Sequence, residues 1–325
     1  MTNWNNLPFE MKEMVVKEMT IETRAQLKMC SKSDKYLVES ISMICDEISL
    51  VQGLSEVSLT RTQNPKSKID LKLNVDGENK VIITRNGSSK EIPCANIEEG
   101  RFIMNQNVGN VLYTGKLCLK KLDVKASDST FLDNFDIKIH AKEVQITTDS
   151  NRMIEWLNIL APGVEEITLE LSSGDFMESL GTMPLIVNAP KLSIENSSDI
   201  NDDQLLSFNC TNMDHWCKSN ITGKGINLLI KKSIANDYPI DTFFRIHLDF
   251  QSYLLIYDIA TSFSRTWADI IEGLDIEITE SRDVASAYDD IEFIGDRSGC
   301  IQMNHGKQME FSLYNYRFCM VIESL

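Results

Sequence analysis

A chain of 325 residues is long enough for one large domain with a small companion, or for two domains. Apolar residues make up 42% and charged residues 25%, ordinary proportions for a globular protein. The net charge of -16 speaks against nucleic-acid binding and against an anionic membrane surface, both of which need basic patches; it is compatible with a basic partner or with solubility alone. No run of about 18 apolar residues occurs, so no transmembrane helix is expected. Met1 to Asn6 lacks a basic stretch followed by an apolar one, so no signal peptide is expected. Asn86-Gly87-Ser88, Asn196-Ser197-Ser198, Asn209-Cys210-Thr211 and Asn220-Ile221-Thr222 then read as turn chemistry rather than glycosylation sites. The cysteines Cys30, Cys45, Cys94, Cys118, Cys210, Cys217, Cys300 and Cys319 are scattered, as expected of reduced thiols in an intracellular protein of cytoplasm or nucleus.

The stretch from Leu7 to Ser42 reads as three short helices. Pro8 suits a first helical turn, and Met11, Met14, Val15 and Met19 follow on one apolar face. Thr23 is placed to cap a second helix carrying Leu27 and Cys30. Ser33 or Asp34 is placed to cap a third, with Tyr36, Leu37 and Ile41 on one face. So few residues bury a poor core, and the module needs the rest of the chain or a partner to pack on. Leu-Pro-x-Glu-Met-Lys, an apolar helix, then Thr-Arg-x-x-Leu-x-x-Cys-Ser-Lys-x-x-x-x-Leu-Val together resemble an F-box. That resemblance implies docking on a Skp-family adaptor and, through it, a cullin ubiquitin ligase. It places the adaptor contacts on Leu7, Pro8, Met11, Val15, Met19, Leu27, Cys30, Lys32 and Leu37. The Trp that many F-boxes carry in the third helix is absent, so either Tyr36 fills its space or the docking surface is weaker.

From Ile48 to Ile92 the period drops to two. Val57 and Leu59, then Leu71, Leu73 and Val75, alternate with polar residues, and Asp76-Gly77 and Asn86-Gly87 bracket Val81-Ile82-Ile83 as hairpin turns. An antiparallel meander is expected, with Thr60 to Lys68 as a polar loop. From Leu117 short strands alternate with short helices. Strands are expected at Leu117–Leu119, Val144–Thr147, Ile167–Leu171 and Leu192–Ile194. Helices are expected at Arg152–Leu160, stopped by Pro162-Gly163, at Asp175–Leu180, and after an Asn201 cap over Leu205, Leu206 and Phe208.

A repeat of about 21 to 22 residues is visible, aligning Ile194 with Trp216, Ser197 with Ser219 and Ile200 with Ile221. That length suits one strand and one helix per unit and predicts a leucine-rich-repeat-like parallel sheet, without the regular Asn ladder. Asn188-Ala189-Pro190-Lys191-Leu192, Leu205 to Cys210, Ser219 to Thr222 and Gly225 to Lys232 resemble an F-box-associated domain of the kind expanded in nematodes (type 2-like). Such a domain implies a substrate-holding role. The resemblance covers Ala189 to Lys232, with a looser tail from Asp289 to Val321; Ser233 stands where the family has Trp. Further along, a strand is expected at Phe243–Phe250 and a helix at Ser264–Leu274. A surface turn is expected over Glu277–Asp290, and a closing strand over Phe311–Phe318.

The chemistry-bearing residues do not assemble into a motif. His140, His215, His247 and His305 are far apart, and His215 between Cys210 and Cys217 has no Cys-x-x-Cys or His-x-x-x-His to complete a zinc set. Gly109, Gly115 and Lys116 miss the P-loop spacing, and Leu117 replaces its hydroxyl. Neither Gly-x-Ser-x-Gly nor Gly-x-Gly-x-x-Gly occurs. The expectation is a mixed α/β protein: a three-helix F-box module over 1–46, then a β-meander and leucine-rich-repeat-like domain over 47–325. Its expected role is the non-catalytic substrate receptor of a Skp–cullin–F-box ubiquitin ligase. It would hold an unknown protein target and use no cofactor, metal, nucleic acid or membrane. The alternative is an interaction scaffold without a ligase link, its N-terminal helices folded inward. A hydrolase would need His140 or His247 joined to a carboxylate and a hydroxyl or thiol in a pocket.

Overall fold

The computed structural model describes residues 4–19, 21–41, 43–52, 56–64, 67–76, 80–85, 87–112, 117–126, 138–173, 178–196, 200–216, 219–248, 256–282, 296–314 and 317–324. The chain is mixed α/β and divides into two compact units, Met1–Val164 and Glu165–Leu325.

The first unit opens with a single 3-10 turn, Trp4–Asn6, and three helices: α1 (Phe9–Glu18), α2 (Ile21–Cys30) and α3 (Lys32–Ser40). Pro8 is the residue just before α1, where its missing N–H costs nothing. Thr23 is no cap, because α2 already begins at Ile21. The cap of α3 is Ser31 rather than Ser33 or Asp34. Its Oγ accepts a bond from the Asp34 N–H at 3.0 Å, and the Trp4 indole donates to the Asp34 carboxylate at 2.9 Å. Val16, Leu37, Val38 and Ile41 form a buried cluster, with Trp4, Met19 and Leu27 against it. Each fully buried aliphatic there stabilises by about 1.5–3 kcal/mol. Tyr36 does not share the face of Leu37 and Ile41; it is exposed and Val38 turns inward, as the helical period places neighbours of Leu37 at i+1 and i+4.

A sheet follows: β1 (Met43–Gln52), β2 (Glu56–Asn64), β3 (Ser67–Asp76), β4 (Lys80–Arg85) and β5 (Ser88–Pro93), each antiparallel to the next. This is the expected meander, but Thr60–Lys68 is not a loop. Most of it belongs to β2 and β3, whose polar residues continue the ladder as far as Asn64 paired with Ser67. Gly87, with φ of +82°, makes the β4–β5 turn; the other expected turn residue, Gly77, lies outside the described residues. Helix α4 (Ile97–Leu112) packs on β3 and β4. The chain then adds β6 (Leu117–Ala126), parallel to β1, and β7 (His140–Asp149), parallel to β6. Helix α5 (Ser150–Asn158) is capped by Asp149, which accepts the Arg152 N–H at 3.1 Å. It buries Met153, Trp156 and Leu157, and ends before the expected Leu160, where Ile139 bridges Leu160 instead.

The second unit comprises β8 (Glu166–Ser173), α6 (Glu178–Gly181), α7 (Pro184–Val187), β9 (Lys191–Asn196), α8 (Asp202–Ser207), β10 (Asn212–His215), α9 (Gly223–Ala235), β11 (Phe243–His247), α10 (Ile256–Ile271), β12 (Glu277–Arg282), β13 (Asp296–Gln302), β14 (Lys307–Tyr314) and β15 (Arg317–Ser324). Strands β8 to β11 lie parallel in chain order, and β15, β14, β13 and β12 extend the sheet antiparallel beyond β11. Leu192 pairs with Met213 and Ile194 with His215, so the strand register moves the alignment of Ile194 by one residue from Trp216. Asn209 donates to Asn188 at 2.9 Å across an offset of 21.

Asn201 and Gln204 form a capping box on α8. Asp202 accepts the N–H and hydroxyl of Thr222, the cap of α9, at 2.8 and 2.7 Å. Lys232 on α9 returns two bonds to the Leu206 and Phe208 carbonyls at the end of α8. Asn227 and Lys231 likewise satisfy the last carbonyls of α10. One sheet face buries Ile167, Leu192, Met213, Phe244, Phe318 and Phe311, the last of these against Trp267 of α10 at 6.0 Å.

Several expected boundaries move. Strand β11 stops at His247, and Phe250 lies outside the described residues. Helix α10 starts at Ile256, ahead of Ser264. Glu277 opens a strand rather than a surface turn, because its carbonyl edge finds β13. Phe311 to Phe318 is not one strand: it spans the end of β14 and the start of β15.

Candidate functional site

Helix α1 turns only Val16 fully inward. The strip Met11, Met14 and Val15, at i, i+3 and i+4, faces solvent: Met11 is 52% and Met14 67% exposed. On the next helices Met29 is 80% and Tyr36 74% exposed, and Phe9 is exposed at the start of α1. Single exposed apolar residues are ordinary; this many large ones on three short helices make the module a candidate interaction surface.

The residues singled out in the sequence divide between the two sides of this module. Pro8, Met11, Val15, Cys30 and Lys32 are exposed. Leu7 is half-buried, as are Met19 and Leu27, which pack against the cluster. Leu37 is 4% exposed and holds the helices together from inside. The outward residues Phe9, Met14, Met29 and Tyr36 were not among the expected contacts. For Phe9 and Met29 the available signal was adjacency, to Pro8 and to Cys30.

Arg24 was legible only as part of a motif. It is buried at the junction of the helices and donates from Nη2 to the Lys17 carbonyl at 3.3 Å and from Nη1 to that of Ile41 at 3.5 Å. It thereby ties the ends of α1 and α3. Asp34 has its carboxyl held below the usual range by the Trp4 indole first and the Ser31 hydroxyl second, against the cost of burial.

The titratable groups of the second unit are arranged differently. Burial, with His247 adding to it, pushes the His215 imidazole down to about 4 against a pull from Asp214. Burial pushes the Cys210 thiol up to about 12, which keeps it protonated and unreactive. His140 and His305 are exposed. Among the described residues no three His, Cys, Asp or Glu side chains come together as a metal set, and no helix is long and apolar enough to cross a membrane.

Comparison with known families places two matches on this framework. Residues 4–45 match the F-box domain, and residues 184–239 match the domain described as F-box associated. The first spans α1 to α3; the second runs from α7 through β9, α8, β10 and α9. No curated protein and no solved structure matches the chain.

Proposed function

We propose that this chain, which carries an F-box domain at its N-terminus and an F-box-associated domain in its second half, is the substrate-recognition subunit of a Skp–cullin–F-box ubiquitin ligase. F-box and F-box-associated domains point in general to such a substrate-adaptor role. The observation that carries the finer reading is the outward strip of α1, together with the exposure of Met29 on α2 and Tyr36 on α3. We read α1 to α3 as the three F-box helices, and the strip as the face that a Skp-family adaptor covers. The scaffold alternative needs that face turned inward.

We assign adaptor docking to residues 1–46 and target binding to residues 47–325. We read the strand–helix units from β8 to β11 as leucine-rich-repeat-like: parallel strands with inter-unit caps. The chain acts without catalytic groups of its own, inside the cell. Its contribution is proximity: holding a target beside a ubiquitin-charged enzyme raises the effective concentration of the reacting pair.

The test is adaptor binding by the full chain beside a Met11→Asp/Val15→Asp double variant. Both side chains are exposed, so the fold survives. Affinity is expected to fall on the order of a hundredfold, since a few apolar anchors carry most of such an interface. Equal binding by the variant, or none by the folded wild type, refutes the assignment.

A further inference from the structure

We propose that the polar face of the second unit's sheet is the target-docking surface, and that Arg317 and Arg245, both set against the Trp216 ring, read an acidic side chain of the target flanked by an apolar one. The proposal rests on the receptor reading above and adds the place and the chemistry of recognition.

The surface is built by register. Thr168, Ser193, Asp214, Arg245, Cys319, Ser312 and Ser298 pair strand by strand from β8 to β13, so one continuous row crosses the face opposite the buried aromatic layer. In the middle of that row Arg245 donates through Nε to Asp214 at 2.9 Å and through Nη2 to the other carboxylate oxygen. The bidentate pair fixes the guanidinium plane. That plane lies over Trp216, with Cζ 4.1 Å from the ring centroid, and near Phe243 at 5.6 Å. Arg317, in register with His247 on the next strand, also approaches the Trp216 ring, at 5.1 Å.

Two guanidiniums thus approach one indole, while the one carboxylate, Asp214, pairs with Arg245 alone. Arg317 is exposed and makes no ion pair among the described residues, and Trp216 is 41% exposed. The Arg317 guanidinium is thus left without a carboxylate of its own among the described residues. Such a surplus is notable in a chain of net charge -16.

That count selects the ligand. A polyanion would meet repulsion from the rest of the chain, whereas a single carboxylate neutralises the single surplus guanidinium. Beside it a recess of about 470 Å³ is lined by Phe243, Val321, Cys300 and Cys319, with Ser312 and Glu310 at its polar side. It accepts the apolar neighbour. On the far side of Trp216, Glu195 of β9 repels a second acidic residue there. The acidic residue is thereby confined to the Arg317 side.

The experiment is fluorescence anisotropy on the full chain with two short labelled peptides of otherwise neutral sequence, a glutamate peptide with a single glutamate beside a leucine and a lysine peptide with lysine in place of that glutamate. Adaptor binding is measured on the same preparations. The glutamate peptide is expected to bind the wild type at least about tenfold more tightly than the lysine peptide. Arg317→Glu should remove that preference, and Arg317→Lys should retain part of it, both with adaptor binding unchanged. No binding of the glutamate peptide, equal binding of both peptides, or an Arg317→Glu variant that still prefers glutamate overturns the proposal. Failure of adaptor binding with the peptide preference intact refutes the ligase reading instead.

Discussion

Arg24 and His215 are both buried and ionisable, and their charges are handled in opposite ways. Arg24 keeps its charge by donating to the carbonyls that end two helices. Arg24→Met should therefore cost about 1–3 kcal/mol, read by urea melts and by faster hydrogen exchange in α1 and α3. His215 is kept neutral instead. Its folded value near 4 lies below the ordinary 6.5, so the unfolded chain binds its proton first. The stability it permits is complete above about pH 6.5 and is lost as pH falls towards 4, by up to roughly 3 kcal/mol. Melts of wild type and His215→Gln at neutral and acid pH should differ in slope over that window. Asp34 acts in the same direction at lower pH: its contribution is present above the ordinary carboxyl range and disappears as pH falls through its lowered folded value. Nothing in the local sequence marks His215 as buried except alternation: it follows Met213 by two, on the inward face of β10.

At the scale of the helix and the strand, the interlocking caps of the second unit tie one strand–helix unit to the next. Gly225 shows how tight the fit is: a Cβ there would stand 2.0 Å from the Asp202 carboxylate that holds Thr222, the cap of α9. Gly225→Ala should push Asp202 off Thr222 and lower stability by about 1–3 kcal/mol in a thermal melt. The sequence revealed elements of this kind unevenly. Asn201 with Gln204 was readable because a capping box is a local pattern. The same pattern at Asn96 and Glu99, where Glu99 accepts the Ala95 N–H and Asn96 the Glu99 N–H, signalled α4 and went unassigned. Strand centres were legible from alternation. Their ends were not, because β2 and β3 continue through polar residues whose only reason to be strand is each other. The break inside Phe311 to Phe318 escaped for the converse reason: alternation runs on through the turn from β14 to β15.

For the molecule as a whole, the change of period from helical to alternating to mixed announced a mixed α/β chain with helices first. The division at Val164 was out of reach. It depends on β6 returning to lie parallel to β1, a pairing between segments far apart in sequence. The candidate docking face was half legible: spacing put Met11, Met14 and Val15 on one strip, but period alone cannot say whether a strip looks in or out. Only the burial of Val16 beside it decides that. The outward strip has a further consequence through its atoms. Met11, Met14 and Met29 present three thioethers to solvent. Thioethers are soft and adaptable in a contact, and peroxide converts them to polar sulfoxides that reductases can restore. On the receptor reading proposed above, mild oxidation of the free chain should weaken adaptor binding, and prior assembly should shield those sulfurs. Coupling to the ligase would then follow the redox history of the unassembled pool, readable as sulfoxide by mass spectrometry of chain oxidised before or after assembly.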